Sequence, residues 1–168
     1  SFQNYALFQY PPYETALTSR LVDVALYHNL DLLHVHYSIP HASAAYFAQS
    51  ILRDKGKDLP FVTTLHGTDI TLVGKAPSYQ SVVEFSINSS NAVTAVSESL
   101  KQDTLDNFVI NRPIEVIPNF IDINRFDTEK NGHPRPSYLP GGVPVLVHAS
   151  NFRKVKRVED VLDVFYLV

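Results

Sequence analysis

The chain has 168 residues, of which 45% are hydrophobic and 18% are charged, and this balance predicts a globular protein with one sizeable core or most of one core and the start of another. Its formal net charge of −3 gives no general attraction to nucleic acid or anionic lipid, so we expect neither kind of partner. The sequence contains no cysteine, which excludes disulfides and thiolate metal sites and agrees with a cytoplasmic location.

Helix and strand patterns alternate along the first 118 residues. Apolar spacing predicts helices over residues 13–29, 40–55, 78–90 and 97–108, and short apolar runs predict strands over residues 31–36, 61–65, 92–96 and 114–117. This order indicates the α/β class, with a mostly parallel sheet, right-handed crossovers and helices on both faces.

The composition changes after Pro118. Residues 119–142 are rich in proline, glycine and charge, which is typical of a linker or long surface loop. Residues 143–149 then predict another strand, and Val158 begins another helix. We therefore divide the chain into a partial Rossmann-like domain over 1–118, a linker over 119–142 and the start of a second domain over 143–168. Because the chain begins at Ser1 without methionine and ends in an apolar run, we expect a fragment of a longer protein.

Polar side chains follow several of the predicted strands. His36 and Tyr37, then His66, then Ser97 come after strands of the first domain, and Ser150 holds the equivalent place in the second domain. Ligands bind outside the carboxyl ends of parallel strands. We therefore expect two sheet edges that face each other across a cleft.

A dense group of basic residues follows the last predicted strand. Arg153, Lys154, Lys156 and Arg157 lie within five positions, at a junction between a strand and a helix. Such a group suits a phosphate, because cationic side chains and free N–H groups at a helix start both favour an anion. An ordinary solvated basic face is the alternative.

Two further alternatives concern the histidines and the segment after His66. Gly67 and Asp69 could form a simple turn, in which the glycine supplies a positive φ and the aspartate caps the next turn of the chain. His34, His36 and His41 invite a metal site, but no cysteine or convincing carboxylate completes one, so we favour hydrogen-bonded histidines.

Three separated segments, in this order along the chain, resemble a known family. They are similar to the retaining glycosyltransferases of family 4, and they comprise residues 63–69, 116–126 and 150–156. Residues 9–13, 34–41 and 150–158 are most similar to those members that join N-acetylglucosamine to L-malate in the bacillithiol pathway. The resemblance implies a GT-B fold of two Rossmann-like domains with parallel sheets.

The resemblance also implies substrates and roles. UDP-GlcNAc would be the donor and L-malate the acceptor, with no cofactor and no metal ion required. Matched by motif, His66 would approach the donor sugar near the reacting carbon and Lys156 would hold the diphosphate leaving group, so these are the candidate catalytic residues. Ser150, Asn151 and Arg153 would join Lys156 in binding the donor.

Tyr37 and Thr64 would face the acceptor. The family places arginine five residues before the phosphate lysine, whereas this chain has Asn151 there and Arg153 out of register. Either Arg153 compensates, or Asn151 has another role such as reaching the acceptor. The glycine-rich loop and the paired glutamates of the family lie outside this chain, so we expect the fragment alone to be inactive.

Two alternative functions stay open at this point. The first is a family 4 enzyme with another acceptor, such as an inositol phosphate or a lipid. The second is a catalytically silent module that binds a sugar phosphate. The sequence leaves open whether the chain forms a homo-oligomer.

Overall fold

A computed structural model describes residues 12–72, 76–127, 130, 132, 137, 141–142 and 144–167. Contacts along the chain divide it into two compact units, Ser1–Phe120 and Ile121–Val168. Of the segment 9–13 that contributed to the family resemblance, only Pro12 and Tyr13 lie within the described residues.

Helices and strands alternate in the first unit as the sequence predicts. They are α1 (Tyr13–Tyr27), β1 (Leu33–His36), α2 (Ser43–Asp54), β2 (Phe61–Leu65), α3 (Pro77–Ser89), β3 (Ala92–Ala95), α4 (Glu98–Asn107) and β4 (Ile114–Val116). The helix predicted to begin at Pro40 begins instead at Ser43, because a π-helical turn over Ser38–Ala42 precedes it.

The four strands form one parallel sheet in the order β1-β2-β3-β4, which confirms the predicted α/β class. Main-chain bonding continues just past the ends of two strands. The Tyr37 N–H donates to the carbonyl oxygen of Thr64 at 2.9 Å, and the Ile117 N–H donates to that of Ala95 at 2.9 Å. These bonds hold the residues that follow the strands at fixed positions along the carboxyl ends of the sheet.

The prediction of helices on both sheet faces is wrong for the described strands. Each strand lies beside its predecessor in sequence, so the right-handed crossovers through α2, α3 and α4 all place their helices on the same face. Helix α1 packs against α2 and extends this single layer. Helices on both faces require a reversal of strand order, and the four described strands contain none.

The core lies between this helical layer and one face of the sheet. Alternate strand residues point to that face, including Leu33 and Phe61, which are paired in register. One buried cluster joins α1 and α2 to β1 and β2, and the other joins α3 and α4 to β3, β4 and the end of β2. Both clusters are made of aliphatic and aromatic side chains whose removal from water stabilises the fold.

In residues 144–167 of the second unit, a 3₁₀ turn over Lys154–Lys156 precedes α5 (Val158–Leu167). The strand predicted over 143–149 is wrong for residues 144–149, which form no strand, while Val143 lies outside the described residues. A strand needs a neighbour that pairs with its backbone, and the described residues of this unit supply no second strand.

A buried carboxylate connects the segments after β1 and β2. Asp69 is only 2% exposed. Its Oδ2 accepts from the Ser38 N–H at 2.8 Å, and its Oδ1 accepts from the N–H groups of Gly67 at 3.1 Å and His66 at 3.4 Å. Asp69 therefore joins the segment that follows β1 to the segment that follows β2 and fixes the path of both.

We predict that Asp69→Ala lowers the free energy of unfolding by about 2 kcal/mol or more, because buried N–H groups lose their acceptor. Asp58→Ala is the matched control, since Asp58 forms only an exposed ion pair with Arg53. Asp58→Ala should lower the free energy of unfolding by less than about 0.5 kcal/mol. Urea unfolding of both variants measures the difference, and equal losses would show that the Asp69 bonds add no stability of their own.

Candidate functional site

The face of the sheet opposite the helices carries a row of polar side chains. His34 and His36 on β1, Thr64 on β2 and Thr94 on β3 alternate with the buried residues and so share this face. The Nε2 of His34 lies 2.8 Å from the Thr64 hydroxyl, and that hydroxyl lies 2.7 Å from the Thr94 hydroxyl. A hydrogen-bonded ladder therefore crosses three strands.

An imidazole cluster continues this ladder toward the end of β2. The Nδ1 of His36 lies 2.7 Å from the Nε2 of His66, and their ring centroids are 5.0 Å apart. The ring of His34 lies 4.7 Å from that of His36, and the Nδ1–H of His41 donates to the carbonyl oxygen of His36. Histidines that are distant in sequence thus meet because β1 and β2 pair in register.

Partial burial is the main cause that lowers the pKa of His36, and the charge that His34, His66 or His41 would carry lowers it further. A lowered pKa keeps this imidazole neutral at neutral pH. A neutral imidazole has one N–H donor and one acceptor nitrogen, so His36 can bond to His66 without charge repulsion.

A cavity of about 290 Å³ lies over this polar face within the first unit. The sequence-predicted residues Thr64 and His66 both line it. The lining comprises His34, His36, Val62, Thr64, His66, Thr94, Val96, Ile117, Pro118, Asn119 and Phe120. The sequence analysis gave no site role to Thr94 or to Phe120, although Phe120 lies in the family segment 116–126. It placed His36 among the strand-end residues expected at the cleft, and it considered His34 as a metal ligand or a hydrogen-bonded histidine.

A second cavity of about 680 Å³ in the same unit is lined by Tyr37 and by residues of α1 and α3, such as Tyr13 and Tyr79. The Tyr37 ring centroid lies 5.2 Å from that of His66. The two residues predicted to face the acceptor therefore line different cavities, with Tyr37 packed beside His66 and Thr64 lining the smaller cavity.

The simple-turn alternative expects a positive φ at Gly67 and a capping role for Asp69, and the turn after His66 has the first of these features. Gly67 has a φ of +108°, a conformation that side chains with a Cβ rarely adopt. Asp69, however, accepts from the preceding N–H groups of Gly67 and His66 rather than capping the residues after it. The turn thus holds His66 in place.

Ser97, the third predicted strand-end residue, has a helix-capping role. Its Oγ accepts from the Leu100 N–H at 3.1 Å at the start of α4. The described lining of the smaller cavity includes the preceding residue, Val96, and does not include Ser97.

The predicted donor-binding residues lie in the second unit. The Ser150 hydroxyl lies 2.8 Å from Nε2 of His148 and accepts from the Phe152 N–H at 3.3 Å. With its amide oriented so that the side-chain oxygen faces the guanidinium group, Asn151 accepts a hydrogen bond from Nε of Arg153 at 3.1 Å. The two residues that depart from the family pattern are therefore direct partners.

Lys156 lies at the end of the 3₁₀ turn, and its side chain is exposed. It lines a cavity of about 810 Å³ within the second unit, together with His148, Arg157 and residues of α5. Arg157 forms an ion pair with Asp160. No ion pair involves Lys156 in the described part of the chain, and its predicted role in binding phosphate stays a prediction.

The described residues form neither a metal cluster nor a membrane-spanning helix. Among residues 12–72, 76–127 and 144–167, and the few described between them, no three histidine, aspartate or glutamate side chains are placed to hold a metal ion. None of the described helices has the length and apolar character that crossing a membrane requires.

Comparison with known proteins agrees with the motifs. The family described as Glycosyltransferase Family 4 matches residues 2–125. The chain is also 45% identical over 162 residues to N-acetyl-alpha-D-glucosaminyl L-malate synthase from Bacillus anthracis. This alignment covers 96% of the chain but 42% of the relative, so the chain spans less than half of the relative's length. The parallel sheet with its helical crossovers is consistent with a Rossmann-like part of a GT-B fold. The family resemblance is therefore confirmed, and the chain belongs to Glycosyltransferase Family 4.

Proposed function

We propose that the protein that carries this chain transfers N-acetylglucosamine from UDP-GlcNAc to the hydroxyl of L-malate, with retention of configuration. The 45% identity over 162 residues to the Bacillus anthracis synthase carries this proposal. The similarity spans both units of the chain, since the alignment covers 96% of its residues.

The smaller cavity supports a compact polar ligand. Its volume of about 290 Å³ lies at the lower end of the range in which proteins bind small molecules, roughly 300–1,000 Å³. Its polar lining consists of imidazoles, threonine hydroxyls and the amide of Asn119. Each of these groups can both donate and accept hydrogen bonds, which suits a hydroxy acid or a sugar.

The basic segment of the second unit would supply the charge. As the bond between the anomeric carbon and the diphosphate oxygen breaks, negative charge grows on the leaving group. A fixed cation at Lys156 would therefore stabilise the transition state more than the ground state. In this proposal Lys156 makes a metal ion unnecessary.

Retention would result from attack on the same face of the sugar. The acceptor oxygen forms its bond to the anomeric carbon while the bond to the diphosphate breaks, and a phosphate oxygen takes the proton of the acceptor hydroxyl. His66 would lie against the sugar and orient it for this step.

The full-length protein tests the proposal directly. Purified enzyme with UDP-GlcNAc and a panel of L-malate, other hydroxy acids and an inositol phosphate should form a glycoside fastest with L-malate. Preference for another acceptor would overturn the malate assignment. Calorimetric binding of the nucleotide sugar without turnover on any acceptor would indicate a silent binding module.

We predict that Lys156→Ala in the full-length protein lowers kcat by about 100-fold, the usual effect of removing one preorganised group that stabilises developing charge. Lys154→Ala is the matched control, because Lys154 is an exposed lysine of the same turn and is not in the described lining of the cavity. Steady-state kinetics should show near-normal turnover for the control. A folded Lys156→Ala enzyme with unchanged kcat would remove Lys156 from the mechanism.

His66→Ala should depress kcat strongly while the melting temperature changes little, because the side chain lines a cavity and contributes little to core packing. His28→Ala, at the exposed end of α1, is the control for loss of a histidine. Calorimetric melting and kinetics on the same samples separate the two effects. A large fall in melting temperature with normal activity per folded molecule would make His66 a structural residue.

Tyr37→Phe should raise the KM for L-malate by about tenfold, or roughly 1.4 kcal/mol, because one hydrogen bond to a carboxylate is lost. Thr64→Val should act in the same direction through the smaller cavity. Tyr27→Phe is the control, since Tyr27 is 85% exposed on α1. If only one site variant changes this KM, the cavity that its residue lines holds the acceptor. A larger change in the KM for UDP-GlcNAc would contradict both acceptor assignments.

A further inference from the structure

His36 has a place in the cluster that the proposed reaction leaves unexplained. Among the described residues, it is the only hydrogen-bond partner of the His66 imidazole, with 2.7 Å between Nδ1 of His36 and Nε2 of His66. This bond leaves Nδ1 of His66 without a described partner. One ring nitrogen of His66 is thus engaged inside the protein, and the other is available to a ligand.

His36 is itself held in position by its surroundings. Its backbone belongs to β1, where it pairs in register with Thr64. Its carbonyl oxygen accepts from the Nδ1–H of His41, and its ring lies 4.7 Å from the ring of His34. The strand and His41 therefore hold the main chain of His36, while its ring contacts that of His34, and a residue held in this way can impose its geometry on a partner.

We propose that His36 is a positioning residue, which holds the ring orientation and tautomer of His66 so that Nδ1 of His66 faces the substrate. This inference rests on the function proposed above, in which His66 orients the donor sugar.

The hydrogen bond between His36 and His66 restricts both the orientation of the His66 ring and the position of its proton. A bond between two imidazole nitrogens needs a proton on one nitrogen and a lone pair on the other, so it couples the tautomers of the two neutral rings. Without it, the His66 ring can turn over and exchange its two nitrogens. The lowered pKa of His36 supports this arrangement, because a neutral His36 does not repel His66.

Three substitutions in the full-length protein separate the hydrogen bond from simple packing. His36→Phe keeps a ring of similar size but removes both nitrogens, and it should lower kcat about tenfold while each KM changes by less than about twofold. His36→Asn places an amide near the position of Nδ1 and should restore most of kcat. His28→Asn repeats the histidine-to-asparagine change at an exposed site on the end of α1 and should match the parent enzyme.

A double-mutant cycle decides whether His36 acts through His66. If it does, adding His36→Phe to His66→Ala should lower kcat by less than about twofold further, since the partner is already absent. A full tenfold additional loss would overturn the proposal. So would equal kcat values for His36→Phe and the parent enzyme.

Imidazole ¹⁵N spectra of the 168-residue chain provide a readout that does not depend on activity. The parent should show His66 nitrogen signals of one dominant tautomer, and His36→Phe should move both signals toward averaged values. Unchanged His66 signals in His36→Phe would overturn the proposal even if turnover fell.

The failure of this inference is distinct from the failure of the proposed function. If His66→Ala reduces turnover of malate and UDP-GlcNAc while the His36 variants behave like the parent in kinetics and spectra, the function stands and the positioning role is wrong. If His66→Ala has parental kinetics, the proposed role of His66 is wrong and the positioning inference falls with it. The imidazole spectra would then report only a structural bond.

Discussion

Right-handed crossovers between parallel strands in sequential order are the constraint on which the first unit depends. They place α2, α3 and α4 on one face of the sheet, and the buried core residues of β1 to β4, such as Leu33, Phe61 and Val93, point to that face. The side chains between them point to the other face by the two-residue period of a strand. Packing of the core thereby dictates that His34, His36, Thr64 and Thr94 lie together.

The same geometry explains which features the sequence predicts and which it does not. Apolar periodicity locates the α-helices and strands described in residues 12–72 and 76–120 to within a few residues, because those patterns are local. Strand order is a property of the whole sheet, and helices on both faces need a reversal of that order, which the described strands lack. Residues 144–149 have a strand-like composition, yet the described residues offer no partner strand, so composition alone was insufficient.

Prediction of the site shows a similar division. The rule that ligands bind at strand ends identified His66, and its neighbour Tyr37 packs against it. The same rule named His36 as a strand-end residue, but it did not indicate that the His36 ring would bond to His66 within the cavity. The alternation of His34 and His36 with buried Leu33 was a visible signal of a shared polar face. Thr94 carries no local signal, because only the pairing of β2 with β3 brings it to the cavity. Phe120 lies in the family segment 116–126, but its place in the cavity lining depends on the chain path after β4.

The distribution of charge fits the proposed chemistry. A neutral His36 suits an uncharged sugar, because a charge on His36 would be repelled by any charge on the neighbouring imidazoles. Charge for a diphosphate would then come from the basic residues of the second unit, where Lys156 has no described ion pair. His66 needs a precise position more than a charge, and its backbone is held by a buried Asp69 carboxylate and a positive-φ Gly67. The segments proposed to position the sugar are therefore rich in histidine and hydroxyl side chains, whereas the segment proposed to bind the diphosphate is rich in lysine and arginine.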